Sequence, residues 1–252
     1  NVMSFNELYK SSPFGMVSSF FYGTIQSALF TLLAVYATSM NFTILEISIV
    51  TFLLAISGAI AQFPVGKISD VYDRRKVIIA STFGAAIFAL ITIFVSGQMY
   101  LPDGLATSKT WFYIFFILFS FCSLPMFSLI LAHTNDYITK DKFVAAGAGL
   151  QFTFGLGAMS GPFLCSIFMD LVGSNGFFIF LFFFHSLIGV FGIYRMRVRP
   201  PVDPPDSQFV AMPQTITPAG IELNPQTEPI QEPNPVIKAS ENIAETSDEN
   251  KY

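Results

Sequence analysis

The sequence predicts an all-α membrane protein: six transmembrane helices followed by a long polar tail. Three observations carry that fold class. Only 12% of the 252 residues are charged and 52% are hydrophobic, whereas a soluble domain carries about 25% charged residues; mean hydropathy is +0.58. The charges of the first 199 residues leave six uncharged stretches, the shortest 20 residues long, and about 20 apolar residues cross the hydrocarbon core of a bilayer. The stretches also lack the alternation of outer-membrane strands. Residues 178–184 are apolar throughout, so their backbone groups must be satisfied within a helix.

Residues 1–13 read as a lead-in. The stretch Ser11 to Leu45 holds a first helix at about 14–37, with Tyr22 and Gln26 four residues apart on one face. Ile47 to Gly66 supplies a second helix at about 43–65, with Glu46 suited to its first turn; an ion-coupling role is the other reading of Glu46. Gly66 is expected to end that helix. Val77 to Pro102 gives a third at about 76–96, anchored by Arg74, Arg75 and Lys76. Thr110 to Asn135 gives a fourth at about 111–133, and Phe143 to Met169 a fifth at 143–169. The fifth carries Gly149, Thr153, Gly157 and Gly161 at every fourth position, then Pro162. Such a stripe lets two backbones approach closely in lipid and predicts a tight, bendable helix at an interface. Leu171 to Tyr194 supplies the sixth at about 177–195, with His185 among phenylalanines, where structural satisfaction is the expected role.

Composition changes at residue 200. Residues 200–252 hold 10 of the 15 prolines and nine of the 17 acids but two of the 13 Lys and Arg. Such a segment buries too little apolar surface to fold, so a disordered acidic tail is expected. The remaining cations are lopsided. Lys10, Lys67, Arg74, Arg75, Lys76, Lys140, Lys142, Arg195, Arg197 and Arg199 fall on one side of the predicted topology and Lys109 alone on the other. By the positive-inside rule that side is cytosolic, with both ends of the segment in the cytosol. The chain begins with Asn1, and a longer parent protein is the expectation.

Several functions are excluded. A pI near 5.1 without a large basic patch does not suit nucleic acid. No Walker loop, Gly-x-Ser-x-Gly elbow or His/Cys metal spacing occurs, so no enzyme, cofactor or metal site is expected. Cys122 and Cys165 fall inside predicted helices and read as small apolar residues.

The loop from Gly66 to Lys76 carries the most information. Gly66, three residues, Asp70, three residues, then Arg74 and Arg75 resembles the signature between the second and third helices of a six-helix half in the major facilitator superfamily. Val71 and Asp73 depart from it, where a basic residue and a glycine are usual. Ser12-Pro13-Phe14-Gly15, Phe63-Pro64-Val65-Gly66, Tyr72-Asp73-Arg74-Arg75, Ala132-His133-Thr134-Asn135-Asp136, Phe143-Val144-Ala145-Ala146 and Met169-Asp170-Leu171 resemble the YcaD-like branch, where they belong to the carboxy-terminal half. The resemblance implies helices seven to twelve of a transporter, with an amino-terminal half in the same or another chain. It also implies a conformational latch at Gly66, Asp70, Arg74 and Arg75.

In this superfamily the first and fourth helices of each half line the central cavity. By that resemblance Tyr22 and Gln26, with Gln151, are candidate substrate contacts; a helix–helix hydrogen bond explains Gln26 equally. The membrane interior holds no Asp, Glu, Lys or Arg, which argues against a proton relay contained in this half. His133 stands three residues before Asp136. It reads as an interfacial histidine bonded to the loop or, with Asp136, as a pH-sensitive gate. Gly157-x-x-x-Gly161-Pro162 resembles an antiporter motif, but Cys165-Ser166 replaces the glycines expected after it, so antiport is not inferred. The function expected is secondary transport of a small solute, with a coupling proton a further option, in the cytoplasmic membrane. The alternative is a non-transporting scaffold that recruits a cytosolic partner through the acidic tail.

Overall fold

The computed structural model describes residues 3–98 and 105–198. Their regular elements are the helices α1 (Phe5–Ser11), α2 (Pro13–Ser39), α3 (Ile44–Val71), α4 (Arg74–Gln98), α5 (Leu105–Ser123), α6 (Met126–Asn135), α7 (Phe143–Val172) and α8 (Gly176–Val198). One 3-10 turn, Lys140–Lys142, leads into α7. Among the described residues six helical spans are long and apolar enough to cross a membrane, α5 and α6 together making the fourth. The tail expected over 200–252, and with it the scaffold reading, lies outside the described residues.

Local chemistry starts and stops these helices. The Ser12 hydroxyl accepts from the Gly15 N–H ahead of α2, with Pro13 in the first turn where its missing donor is harmless. Thr43 and Glu46 form a reciprocal capping box at the start of α3. Gly173, at φ 77°, ends α7 in a conformation that favours glycine. Gly66 does not end α3. The helix runs on to Val71, Gly66 is buried within it, and Ser69 donates its hydroxyl to the Gly66 carbonyl at 2.8 Å. The turn is instead made by Tyr72, in extended conformation, and Asp73, whose carboxylate accepts from the Arg75 N–H at 3.0 Å and so caps α4.

The fourth span is two helices rather than one over 111–133. Proline has no N–H to donate, and the break falls at Leu124 and Pro125. Neighbouring helices hold it. The Tyr22 hydroxyl donates to the Leu124 carbonyl at 3.2 Å, and Ser123 Oγ lies 2.9 Å from His185 Nε2. A side chain at Gly58 of α3 would collide with Leu124.

The bundle packs through two kinds of surface. α2 and α7 meet backbone to backbone: a Cβ on Gly23 would strike the Phe154 carbonyl, one on Gly157 the Phe20 carbonyl, and one on Gly161 the Thr24 carbonyl. Thr24 adds a hydroxyl bond to the Gly157 carbonyl at 3.2 Å, and Ser19 one to the Leu150 carbonyl at 2.8 Å. Gly149, on the same stripe, instead receives Leu8 of α1. Helix α7 continues unbroken through Pro162. At the other end Tyr36, Phe112, Phe116, Phe177 and Phe178 interlock with centroid spacings of 5.0–6.3 Å. Helices α3 and α7 are the least covered spans, with 28% and 22% of their apolar windows buried against 67% for the fourth. Phe52, Phe63, Met159 and Phe163 stand exposed on them.

Candidate functional site

Three helix ends, two of them joined by a short turn and the third about 60 residues further on, converge at the Lys/Arg-rich end of the bundle. The end of α3 brings Asp70, the start of α4 brings Arg74 and Arg75, and the end of α6 brings His133 and Asp136. Arg74 is the centre. Its side chain is 2% exposed, with Nη2 3.0 Å from Asp70 Oδ1 and Nη1 2.8 Å from Asp136 Oδ1. Nη1 also donates to the Ala132 carbonyl at 2.9 Å. One buried cation thus ties two helix ends to the start of a third, and the planar fork of arginine suits it to several acceptors at once.

Arg75 turns the other way. It meets Asp73 through Nη2 at 2.8 Å and Nε at 3.1 Å. Burial works to raise the Asp73 carboxyl, yet the side-chain and backbone hydrogen bonds from Arg75 outweigh it and hold Asp73 below the usual carboxylate range. A small niche beside this pair is lined by Ser12, Phe14, Arg75, His133, Tyr137 and Arg195. His133 is buried there, edge-on to Phe14 at 5.2 Å and to Tyr137 at 5.0 Å. The segment Ser12–Gly15 closes the cluster: Ser12 Oγ lies 3.3 Å from Thr134 Oγ1, and a side chain at Gly15 would strike the Thr134 hydroxyl. Of the latch candidates, Arg74 therefore bridges Asp70 and Asp136, Arg75 pairs with Asp73, and Gly66 is buried within α3.

The cavity candidates occupy the middle of the bundle. Tyr22 is fully buried, spends its hydroxyl on the α5/α6 break and lies 6.1 Å from the Phe154 ring. Gln26, one turn on, is 4% exposed, and Gln151 is half-buried on α7. His185 is wholly buried, its Nδ1 2.8 Å from the Leu181 carbonyl and its ring edge-on to Phe119. Far from the basic end, Glu46 accepts from the Thr43 N–H at 2.7 Å and pairs with Lys109 at 2.7 Å. Both its oxygens serve the helix cap and this pair. Among the described residues no group of three metal-ligating side chains occurs.

Sequence reasoning missed four contributors. The lead-in contains α1, which docks through Leu8 and through an ion pair from Glu7 to Lys142 at 2.6 Å. Gly15 and Gly58 were visible as glycines, but nothing local announces the close approach each permits. Asp73 was legible only as a departure from the signature, although Asp before a helical run is itself a cap signal.

Comparison with known proteins fits this architecture. The family model described as the Major Facilitator Superfamily matches residues 15–238. The uncharacterized MFS-type transporter YfkF of Bacillus subtilis is 27% identical over 186 residues, 71% of this chain and 44% of that protein. The uncharacterized MFS-type transporter YE1530 of Yersinia enterocolitica is 25% identical over 203 residues, 81% of this chain and 48% of that protein. A third, MJ1560 of Methanocaldococcus jannaschii, is 25% identical over 167 residues, 66% of this chain and 40% of that protein. The chain spans about half the length of the curated relatives it matches. No solved structure matches it significantly.

Proposed function

Because the chain belongs to the Major Facilitator Superfamily, a family of membrane transporters and not of enzymes, we propose that it is the carboxy-terminal six-helix half of a secondary transporter. It moves a small solute by alternating access together with an amino-terminal half. The observation that carries this reading is the Arg74 junction, where one buried guanidinium joins Asp70, Asp136 and the Ala132 carbonyl across three helix ends. Those ends must move together when the membrane face opens or closes, so the junction is a conformational latch. Ten of eleven cations in the first 199 residues stand at the latch end of the predicted topology, which makes that end cytosolic in the cytoplasmic membrane. The least covered helices, α3 and α7, present the faces on which the amino-terminal half docks.

Within the superfamily the YcaD-like branch is the reading favoured by Ser12–Gly15, Tyr72–Arg75 and Ala132–Asp136, the three motifs that meet at the latch. Gln26 and Gln151 are the substrate-facing candidates, and Tyr22 acts behind them through the break in the fourth span. Coupling to a proton requires groups from the amino-terminal half, since the interior here has no Asp, Glu, Lys or Arg. The test is accessibility in the full transporter. Arg74→Gln is expected to raise labelling of a cysteine at position 151 from the basic side several-fold at unchanged surface expression. Unaltered labelling would sink the latch.

A further inference from the structure

Lys76 stands apart from the latch although it follows Arg74 and Arg75 directly. Its neighbours are consumed by Asp70, Asp136 and Asp73. Among the described residues Lys76 has no carboxylate partner, and neither has Arg197 near the end of α8. Both side chains are exposed. They stand at the basic end of the bundle, Lys76 in the first turn of α4, where the helix dipole adds further positive potential.

Below these cations the surface is hollow. On one side of α4 a groove of about 380 Å³ runs between α3, α4 and α5, lined by Ile68, Tyr72, Lys76, Val77, Ala80 and Cys122 among others. On its other side a groove of about 490 Å³ runs between α4 and α8, lined by Lys76, Ile79, Ala80, Ile193, Met196 and Arg197. Both volumes lie within the roughly 300–1,000 Å³ range of ligand pockets. Lys76 and Ala80 line both, so the grooves flank one short stretch of α4 with a cation at its head. The walls below the cations are almost wholly apolar and open toward lipid.

We propose that this surface binds an anionic phospholipid. The phosphate group is held by Lys76 and Arg197, and the acyl chains lie in the grooves on either side of Ala80. Charge complementarity selects the anion: two uncompensated cations at a membrane surface are attracted to acidic headgroups. The apolar grooves select a lipid over a free phosphate, because a soluble anion gains nothing from them. One groove borders Ile68 and Tyr72 at the end of α3, the other lies between α4 and α8, and neither is lined by α7. The lipid site is argued from these cations and grooves alone and not from the transport reading.

The test uses the full chain in nanodiscs of phosphatidylcholine with added phosphatidylglycerol, and reads the retained lipid by native mass spectrometry. The double variant Lys76→Gln/Arg197→Gln is expected to lose most of the phosphatidylglycerol that the parent retains. Ala80→Phe, which keeps both cations but fills the grooves, is expected to lose it as well. Lys67→Gln/Lys140→Gln, which removes two cations of the same end outside the grooves, is expected to retain it. The proposal is overturned if the control loses lipid as fully as the double variant, which means diffuse attraction. It is equally overturned if Ala80→Phe retains the lipid or if inorganic phosphate displaces it. Retention by the double variant has the same consequence. Transport does not enter the readout, so failure here leaves the latch untouched.

Discussion

Arg74 is surrounded by acceptors of unequal exposure: Asp136 is 9% exposed and Asp70 33%. Arg74→Met strands the largely covered Asp136 without its cation, and breaking a buried pair from one side costs up to about 3–5 kcal/mol. Asp70→Asn removes a more solvated partner and costs about 1 kcal/mol or less. Arg74→Lys keeps the charge but loses the fork, and falls between them. Thermal unfolding in lipid nanodiscs ranks the three, and a larger loss for Asp70→Asn than for Arg74→Met would contradict the geometry. Asp73 makes a separate pH prediction. Its folded carboxyl lies below the unfolded value, so its contribution is present above the unfolded value of about 3.9 and is lost as pH falls through the folded one. Asp73→Asn is therefore expected to be less stable than the parent at pH 7, with the gap closing as melts are repeated toward pH 3. The sequence points to Asp70 and Arg74, but it relates Asp136 only to His133, three residues away, and there only as one of two readings. Spacing rules operate within one helix, and the Arg74–Asp136 pair spans 62 positions, so no local pattern could reveal it.

Helix α7 carries glycines of opposite meaning, and substitution separates them. At Gly157 a methyl group would enter the backbone of α2, whereas at Gly155 nothing lies within 4 Å. Gly157→Ala must push two helices apart, and overpacking of that kind costs about 1–3 kcal/mol or more. Gly155→Ala gains helix propensity, worth about 0.5–1 kcal/mol. Expression and melting temperature of the two variants are expected to move in opposite directions; equal tolerance at both sites would contradict the crossing. The stripe at 157 and 161 was legible because its four-residue period is a property of one helix. That Gly149 faces α1 instead of α2 was not, because the partner comes from a segment with a single buried apolar residue, Leu8. The break at Pro125 was equally hidden. Membrane helices tolerate proline when neighbours satisfy the freed groups, so the residue alone does not decide between a continuous helix and two. Tyr22, about 100 positions away in the chain, satisfies the Leu124 carbonyl, and His185, about 60 positions away, holds the Ser123 side chain beside it.

The six spans were readable because lipid imposes a length and a polarity on every one of them. The way they gather is set by side chains that meet only in three dimensions. The result is a molecule with two unlike ends. One is laced by Arg74, Arg75 and their carboxylates. The other is closed by stacked aromatic rings, with a lone cross-helix ion pair there among the described residues, Glu46 with Lys109. The cation bias predicts that the laced end faces the cytosol, and both the latch and the lipid site inherit that direction. Single cysteines test it once Cys122→Ala and Cys165→Ala have removed the native thiols. Ile44, 86% exposed beside the aromatic end, and Lys140, exposed at the basic end, are the positions to use. A membrane-impermeant maleimide applied to intact cells is expected to label Ile44→Cys at once and Lys140→Cys only after permeabilisation. The reverse pattern would turn the bundle over. It would move the Arg74 junction to the outer face and remove the cytosolic surface potential from Lys76 and Arg197, because the attraction of basic residues to acidic lipid belongs to the cytosolic leaflet.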